Sequence, residues 1–118
     1  MDTRLNDALA FANYRLTLQV QRQNIDARVN AALIVSYQSA IFKSTQTLIT
    51  FVGFRAMRSE KLLVEDNSGN VIHVENPTEF LTMLLTAYDS AMELKYQELQ
   101  KLKSARSTAK IVGLWYEH

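Results

Sequence analysis

One proline and three glycines punctuate 118 residues, and this scarcity constrains the fold more than any other feature of the chain. Glycine and proline are the residues that most reliably break helices and form turns, so a chain this poor in both favours long helices over many short elements. A chain of this length is expected to form one domain, 1–118, and to bury roughly two-thirds of the surface its unfolded form exposes. It has no cysteine, which removes disulfides, thiolate metal sites and a cysteine nucleophile.

The first long segment is predicted to be a helix over 1–36, capped by Asp2 or Thr3. Leu5, Leu9, Ala12, Leu16, Val20, Ala27, Ala31 and Ile34 recur at helical spacing, and Arg15, Gln19, Arg22 and Asp26 share the opposite, polar stripe. The spacing drifts near Gln23, where a bend fits. Such a helix would be about 50 Å long and needs another long helix beside it unless it projects. A short strand is expected over 40–43, around Ile41 and Phe42. Ser44 or Thr45 then caps a second helix, 45–58, whose apolar residues Leu48, Ile49, Phe51, Val52, Phe54, Ala56 and Met57 surround the axis. A helix apolar all round is buried from more than one side. The second side is either the rest of this chain or another protomer.

Residues 61–75 read as a β-hairpin, KLLVED facing NVIHVE across a turn at Asn67, Ser68 and Gly69. Leu62 and Val64 share a face with Ile72 and Val74, and Gly69 supplies a positive φ. The acidic loop invites a calcium reading, which fails. With Gly69 at the sixth position of an EF-hand loop, Asp66, Ser68 and Glu75 take positions 3, 5 and 12, but position 1 is Val64, which has no side-chain oxygen. The flanks alternate as strands, so the acids are expected only to solvate the tip.

The hairpin leads into ENPTEFLTMLL, a strong helix start. Asn76 caps, Pro77 takes the first helical position, and Glu79 can reach back to the Asn76 backbone. This third helix is predicted over 77–105, with Leu81, Leu84, Tyr88, Ala91, Met92, Leu99 and Leu102 on one stripe. Gly113 is expected to end any helix, leaving 106–118 as a C-terminal tail with Leu114, Trp115 and Tyr116 in it. The expected fold is therefore α+β and mainly helical. Two long antiparallel helices bracket a short helix and a β-hairpin, in the order α–β–α–β–β–α with the first strand optional.

Little chemistry is on offer. The histidines are His73, within a strand, and His118, the last residue, and neither has convergent partners in sequence. No serine sits on a glycine-flanked elbow, and Gly53, Gly69 and Gly113 lie too far apart to cradle phosphate. Asp89 and Glu93 share a helix face that reads as solvated. No enzyme and no cofactor is expected. Apolar runs such as AALIV, 31–35, are far shorter than the ~20 residues of a membrane span, and the charged opening MDTRLNDALAFANYR has no signal-peptide core. The expectation is a cytoplasmic protein with no membrane partner.

Two binding roles remain. Lys101, Lys103, Arg106 and Lys110, beside Lys95, make the C-terminal part basic, and Trp115 and Tyr116 could stack on bases. A net charge of +1 and the intervening Glu93 and Glu98 weigh against a nucleic-acid role, and lysines near a helix C-terminus also complement its dipole. Protein–protein assembly fits better. Phe51, Phe54 and Met57 are expected at a subunit contact, with Leu114, Trp115 and Tyr116 anchoring the tail in a neighbour or partner. The favoured state is a homo-oligomer, a two-fold dimer first, against a monomer whose tail folds back on its own core.

The segments NDALAFANYRLTL and QRQN, then IFKSTQTLITFV, the hairpin leading into ENPTEFL, and KLKSARS together resemble small proteins of large tailed bacteriophages, in particular the contractile-tailed phages of marine cyanobacteria. The resemblance runs over most of the chain. It implies a setting, an infected bacterial cytoplasm or a virion, and no activity or site residues. The function expected is that of a small oligomeric scaffold or adaptor, with a nucleic-acid-binding accessory protein as the alternative.

Overall fold

The computed structural model describes residues 3–116, with side-chain surroundings for residues 3–105. The fold is α+β and mainly helical, with three helices and two small antiparallel hairpins. In chain order these are α1 (Thr3–Ala32), β1 (Ile34–Tyr37), β2 (Ala40–Lys43), α2 (Gln46–Met57), β3 (Leu63–Glu65), β4 (Val71–His73) and α3 (Pro77–Tyr116). Contacts divide the chain into two compact units. One comprises the described parts of 1–28 and 95–118, and the other is Val29–Leu94.

In the second unit the first helix stops at Ala32, not near Ser36, and the chain turns directly into β1. The reason is local. Ile34 and Val35 are β-branched and Tyr37 is aromatic, a composition that suits a pleated, half-buried strand. Pairing Val35 with Phe42 and Tyr37 with Ala40 buries one face of the hairpin: Val35, Ala40 and Phe42 are all buried. The expected strand over 40–43 is β2, and β1 is its partner. Between them Gln38 and Ser39 both hold positive φ, 49° and 64°, the conformation of a type I′ turn without its usual asparagine and glycine.

Around this hairpin lies a core of Val35, Ala40, Phe42, Val52, Leu62, Val64, Val74, Phe80 and Leu84. Phe80 of α3 stands at its centre. Its ring lies 4.9 Å from the rings of both Tyr37 and Phe42, the latter edge-on, a geometry that aromatic quadrupoles favour. Leu62, Val64 and Val74 turn inward from the second hairpin as the alternation predicts, with Ile72 half-buried. Gly69 takes its positive φ of 86°. Asp66 does more than solvate the tip. Its Oδ1 accepts from the Ser68 and Asn70 amides at 2.9 and 2.8 Å, so the carboxylate builds the turn.

The helix ends follow side-chain chemistry. Thr45, not Ser44, caps α2 by accepting from the Leu48 amide. Ser44 is fully buried, and its hydroxyl donates to the Leu84 carbonyl at 2.6 Å. At its other end α2 closes in a Schellman motif. The Ser59 amide donates to Ala56 and the Glu60 amide to Arg55, with Ser59 at φ 53°. Asn76 caps α3 through the Glu79 amide at 3.1 Å. The reciprocal half of the expected capping box is replaced: the Asn76 amide donates to Tyr37 Oη at 3.3 Å.

The third helix does not stop near residue 105. Its backbone continues helical to Tyr116, so the segment expected as a tail, 106–118, is helix as far as it is described. A lone interior glycine such as Gly113 costs a helix about 1 kcal/mol relative to alanine and does not terminate it by itself.

In the first unit the α1 and α3 segments lie side by side. Arg28 meets Glu98 through paired contacts of 3.3 and 3.4 Å, and Lys101 approaches the same carboxylate at 3.7 Å. The groove they begin is lined by Gln21, Asn24, Ile25, Leu102 and Ala105, so the two segments run antiparallel. Ile25 is buried there.

Candidate functional site

The sequence of α2 puts apolar residues on two opposite faces, and the core takes one of them. At about 100° per residue, Leu48, Ile49, Val52 and Ala56 fall together, and Val52 is fully buried while the other three are half-buried. Thr47, Thr50, Phe51, Phe54 and Met57 fall on the other side. Phe51 is 41% exposed, Phe54 57% and Met57 87%. Two phenylalanines and a methionine in one exposed cluster are unusual for a surface that meets only water.

Cations rim the cluster. The Arg55 guanidinium lies 5.3 Å above the Phe51 ring, and that of Arg58 lies 5.4 Å above Phe54. Each pair is four residues apart on the helix, so the side chains meet on adjacent turns. Glu60, positioned by the Schellman turn, holds both arginines, at 3.0 Å from Arg55 and 2.8 Å from Arg58. Exposed ion pairs contribute little stability, so the effect of Glu60 is chiefly geometric. It fixes two flexible cations over two rings and lowers the ordering cost a partner would meet. Aromatic residues, methionine and arginine are the side chains enriched in protein interfaces. The sequence names Phe51, Phe54 and Met57 as a contact, and the structure leaves all three exposed. The sequence did not reveal the arginine–glutamate rim, whose signal was the i,i+4 Phe–Arg spacing.

Of the residues of the nucleic-acid reading, Lys101 and Lys103 are described with their side chains. Lys101 and Lys103 are exposed but stand two residues apart on α3, on sides of the helix that do not face each other, and Lys101 lies beside Glu98. Side chains of Arg106, Lys110, Leu114, Trp115 and Tyr116 lie outside the described residues, as does His118.

His73 is exposed on β4 and shares a groove with Glu60, Lys61 and Glu75 below the end of α2. Among the described residues no three histidine, cysteine, aspartate or glutamate side chains converge as metal ligands, and no buried side-chain nitrogen or oxygen lacks a partner. No helix among them is long and apolar enough to cross a membrane. Comparison with family models, with curated proteins and with solved structures gives no match.

Proposed function

We propose that the chain is a non-enzymatic, oligomeric scaffold or adaptor, and that the outer face of α2 is a subunit contact. The observation that carries this reading is the exposed Phe51–Phe54–Met57 cluster with its arginines pinned over the rings. Burying half-exposed aromatic side chains contributes on the order of 1 kcal/mol each, so a two-fold contact that uses the cluster twice gains several kcal/mol from it. That is comparable with the low end of the cost of association, so the contact needs its pre-ordered rim to hold. The setting implied by the resemblance to small tailed-phage proteins, a bacterial cytoplasm or a virion, belongs to the same proposal.

Phe54→Asp tests it. The substitution places a charge in the centre of the cluster and leaves the buried face of α2 untouched. The oligomer should dissociate in sedimentation velocity while the circular dichroism of the helices stays unchanged. An unchanged sedimentation coefficient with intact helicity removes α2 from the contact.

A further inference from the structure

A two-stranded hairpin has two outer edges, each a row of backbone groups that its own ladder leaves unpaired. The Asn67 amide engages the edge of β2, donating to the Ile41 carbonyl at 2.9 Å. The Gln38 side chain engages that of β4, at the His73 carbonyl and the Glu75 amide. The edge of β1 is open. The Ser44 amide donates to the Leu33 carbonyl, so Leu33, Val35 and Tyr37 turn their backbone groups toward β2, and Ile34 and Ser36 turn theirs outward. Among the described residues no hydrogen bond engages the backbone of Ile34 or Ser36. Exposed edges are usually kept from pairing by a lysine, a proline or a bulge, and β1, with the sequence IVSY in unbroken register, has none of these.

Between this edge and α3 lies a groove, lined on the helix by Thr82, Met83, Thr86, Ala87 and Ser90 and wholly within the second unit. Four of these five side chains are short, which leaves width for another strand at the ~4.8 Å spacing of a sheet. Ile34 and Ser36 are exposed along it. The lining is uncharged, but the helix that bears it is acidic. From Pro77 to Leu94, α3 carries Glu79, Asp89 and Glu93 and neither lysine nor arginine. At about 100° per residue the three acids fall within roughly 60° of Thr86, whereas Lys95 falls on the opposite side.

We infer that the β1 edge takes up an extended, basic segment of another protein as a third strand. The outward amides and carbonyls of Ile34 and Ser36 specify the backbone, since an added strand pairs all of them. The acids specify the charge. Glu79 and Asp89, both exposed, are ten residues apart, about 15 Å along the helix. In an extended chain, residues four apart share a face and stand about 13 Å from each other. Two bases at that spacing reach both carboxylates, and the residue midway between them lies over Thr86. A second copy of β1 fits less well. Two-fold pairing of the β1 edges sets the acidic face of one α3 beside that of the other, and IVSY brings no base to offset it. The inference gives the adaptor a foreign partner on a surface separate from the outer face of α2, so it holds whether or not the chain self-associates.

Two capped heptapeptides, TKTVTKT and TETVTET, test it when titrated into the full chain, with the backbone amide resonances of Ile34 and Ser36 as the readout. The basic peptide should shift both amides saturably and bind about ten-fold more tightly than the acidic one. Ser36→Pro deletes an outward N–H and no bond of the hairpin, so it should abolish binding while circular dichroism stays unchanged. Glu79→Lys combined with Asp89→Lys leaves the edge intact and should invert the preference toward TETVTET. No shift at either amide up to about 1 mM peptide overturns the inference. Equal affinity for the two peptides does so as well, as does a preference that the two lysines leave unchanged. A chain that takes up neither peptide and forms dimers lost on Ser36→Pro assigns the edge to a second copy of β1, which also overturns it. Where Ser36→Pro does not fold, the chain with both lysines decides alone.

Discussion

Gln38 and Ser39 occupy adjacent positions of one turn, both with positive φ, yet replacing each with glycine should change stability in opposite directions. A left-handed conformation costs an L-residue roughly 1 kcal/mol, and glycine removes that cost at the expense of a more flexible unfolded chain. At Ser39 nothing else is lost, since no side-chain hydrogen bond ties it down, so Ser39→Gly should stabilise by about 0.5 kcal/mol. Gln38 differs. Its Nε2 donates to the His73 carbonyl and its Oε1 accepts from the Glu75 amide, both at 2.9 Å, so the side chain tethers the first hairpin to the end of the second. Two exposed hydrogen bonds contribute about 0.5–1 kcal/mol each, and their loss outweighs the relief of strain. Gln38→Gly should therefore destabilise by about 0.5–1 kcal/mol, and Gln38→Ala, which keeps the strain and loses the bonds, by about 1–2 kcal/mol. Urea unfolding followed by circular dichroism resolves these shifts as changes in midpoint at constant slope. Equal stabilisation by Gln38→Gly and Ser39→Gly would refute the tether and reduce the turn to its backbone.

Other substitutions probe the same unit. Gly53 lies inside α2, and a Cβ there would meet only Leu81 methyls at 3.8 and 3.9 Å, so Gly53→Ala should raise the unfolding midpoint by the equivalent of about 0.5–1 kcal/mol. Ser44→Ala deletes a buried bond of 2.6 Å, while the Leu84 carbonyl keeps its helical partner, so the loss in chemical denaturation should be about 1 kcal/mol and not more than 2. Asn76→Ala removes the cap of α3 and should cost about 1 kcal/mol, whereas Asn76→Asp should recover most of it in the same assay.

Much of this architecture was legible where local chemistry and tertiary packing agree. Asn76 and Pro77 announce α3, Gly69 marks its turn, and the alternation of Leu62, Val64 and Val74 orients the second hairpin. The first hairpin was half hidden for two physical reasons. Ile34 continues the 3.6-residue spacing of α1, so periodicity alone extends the helix through it. Its turn is built from Gln38 and Ser39, which carry no intrinsic preference for positive φ, and it is tethered by bonds from the Gln38 side chain to the backbone of His73 and Glu75 far along the chain. Gly113 misled in the opposite sense, since a breaker acts on average while neighbours decide each case. For the candidate site, the sequence shows that α2 is apolar all round and that α1 bears a leucine stripe. Which faces stay exposed depends on packing: Val52 turns inward while Phe54 stays out.

The proposal of self-assembly stands or falls on the solution mass of the intact chain. Multi-angle light scattering across a concentration series should give a multiple of the single-chain mass for the wild type, falling with Phe54→Asp. A single-chain mass at every concentration would contradict it and leave the exposed face of α2 without the partner assigned to it.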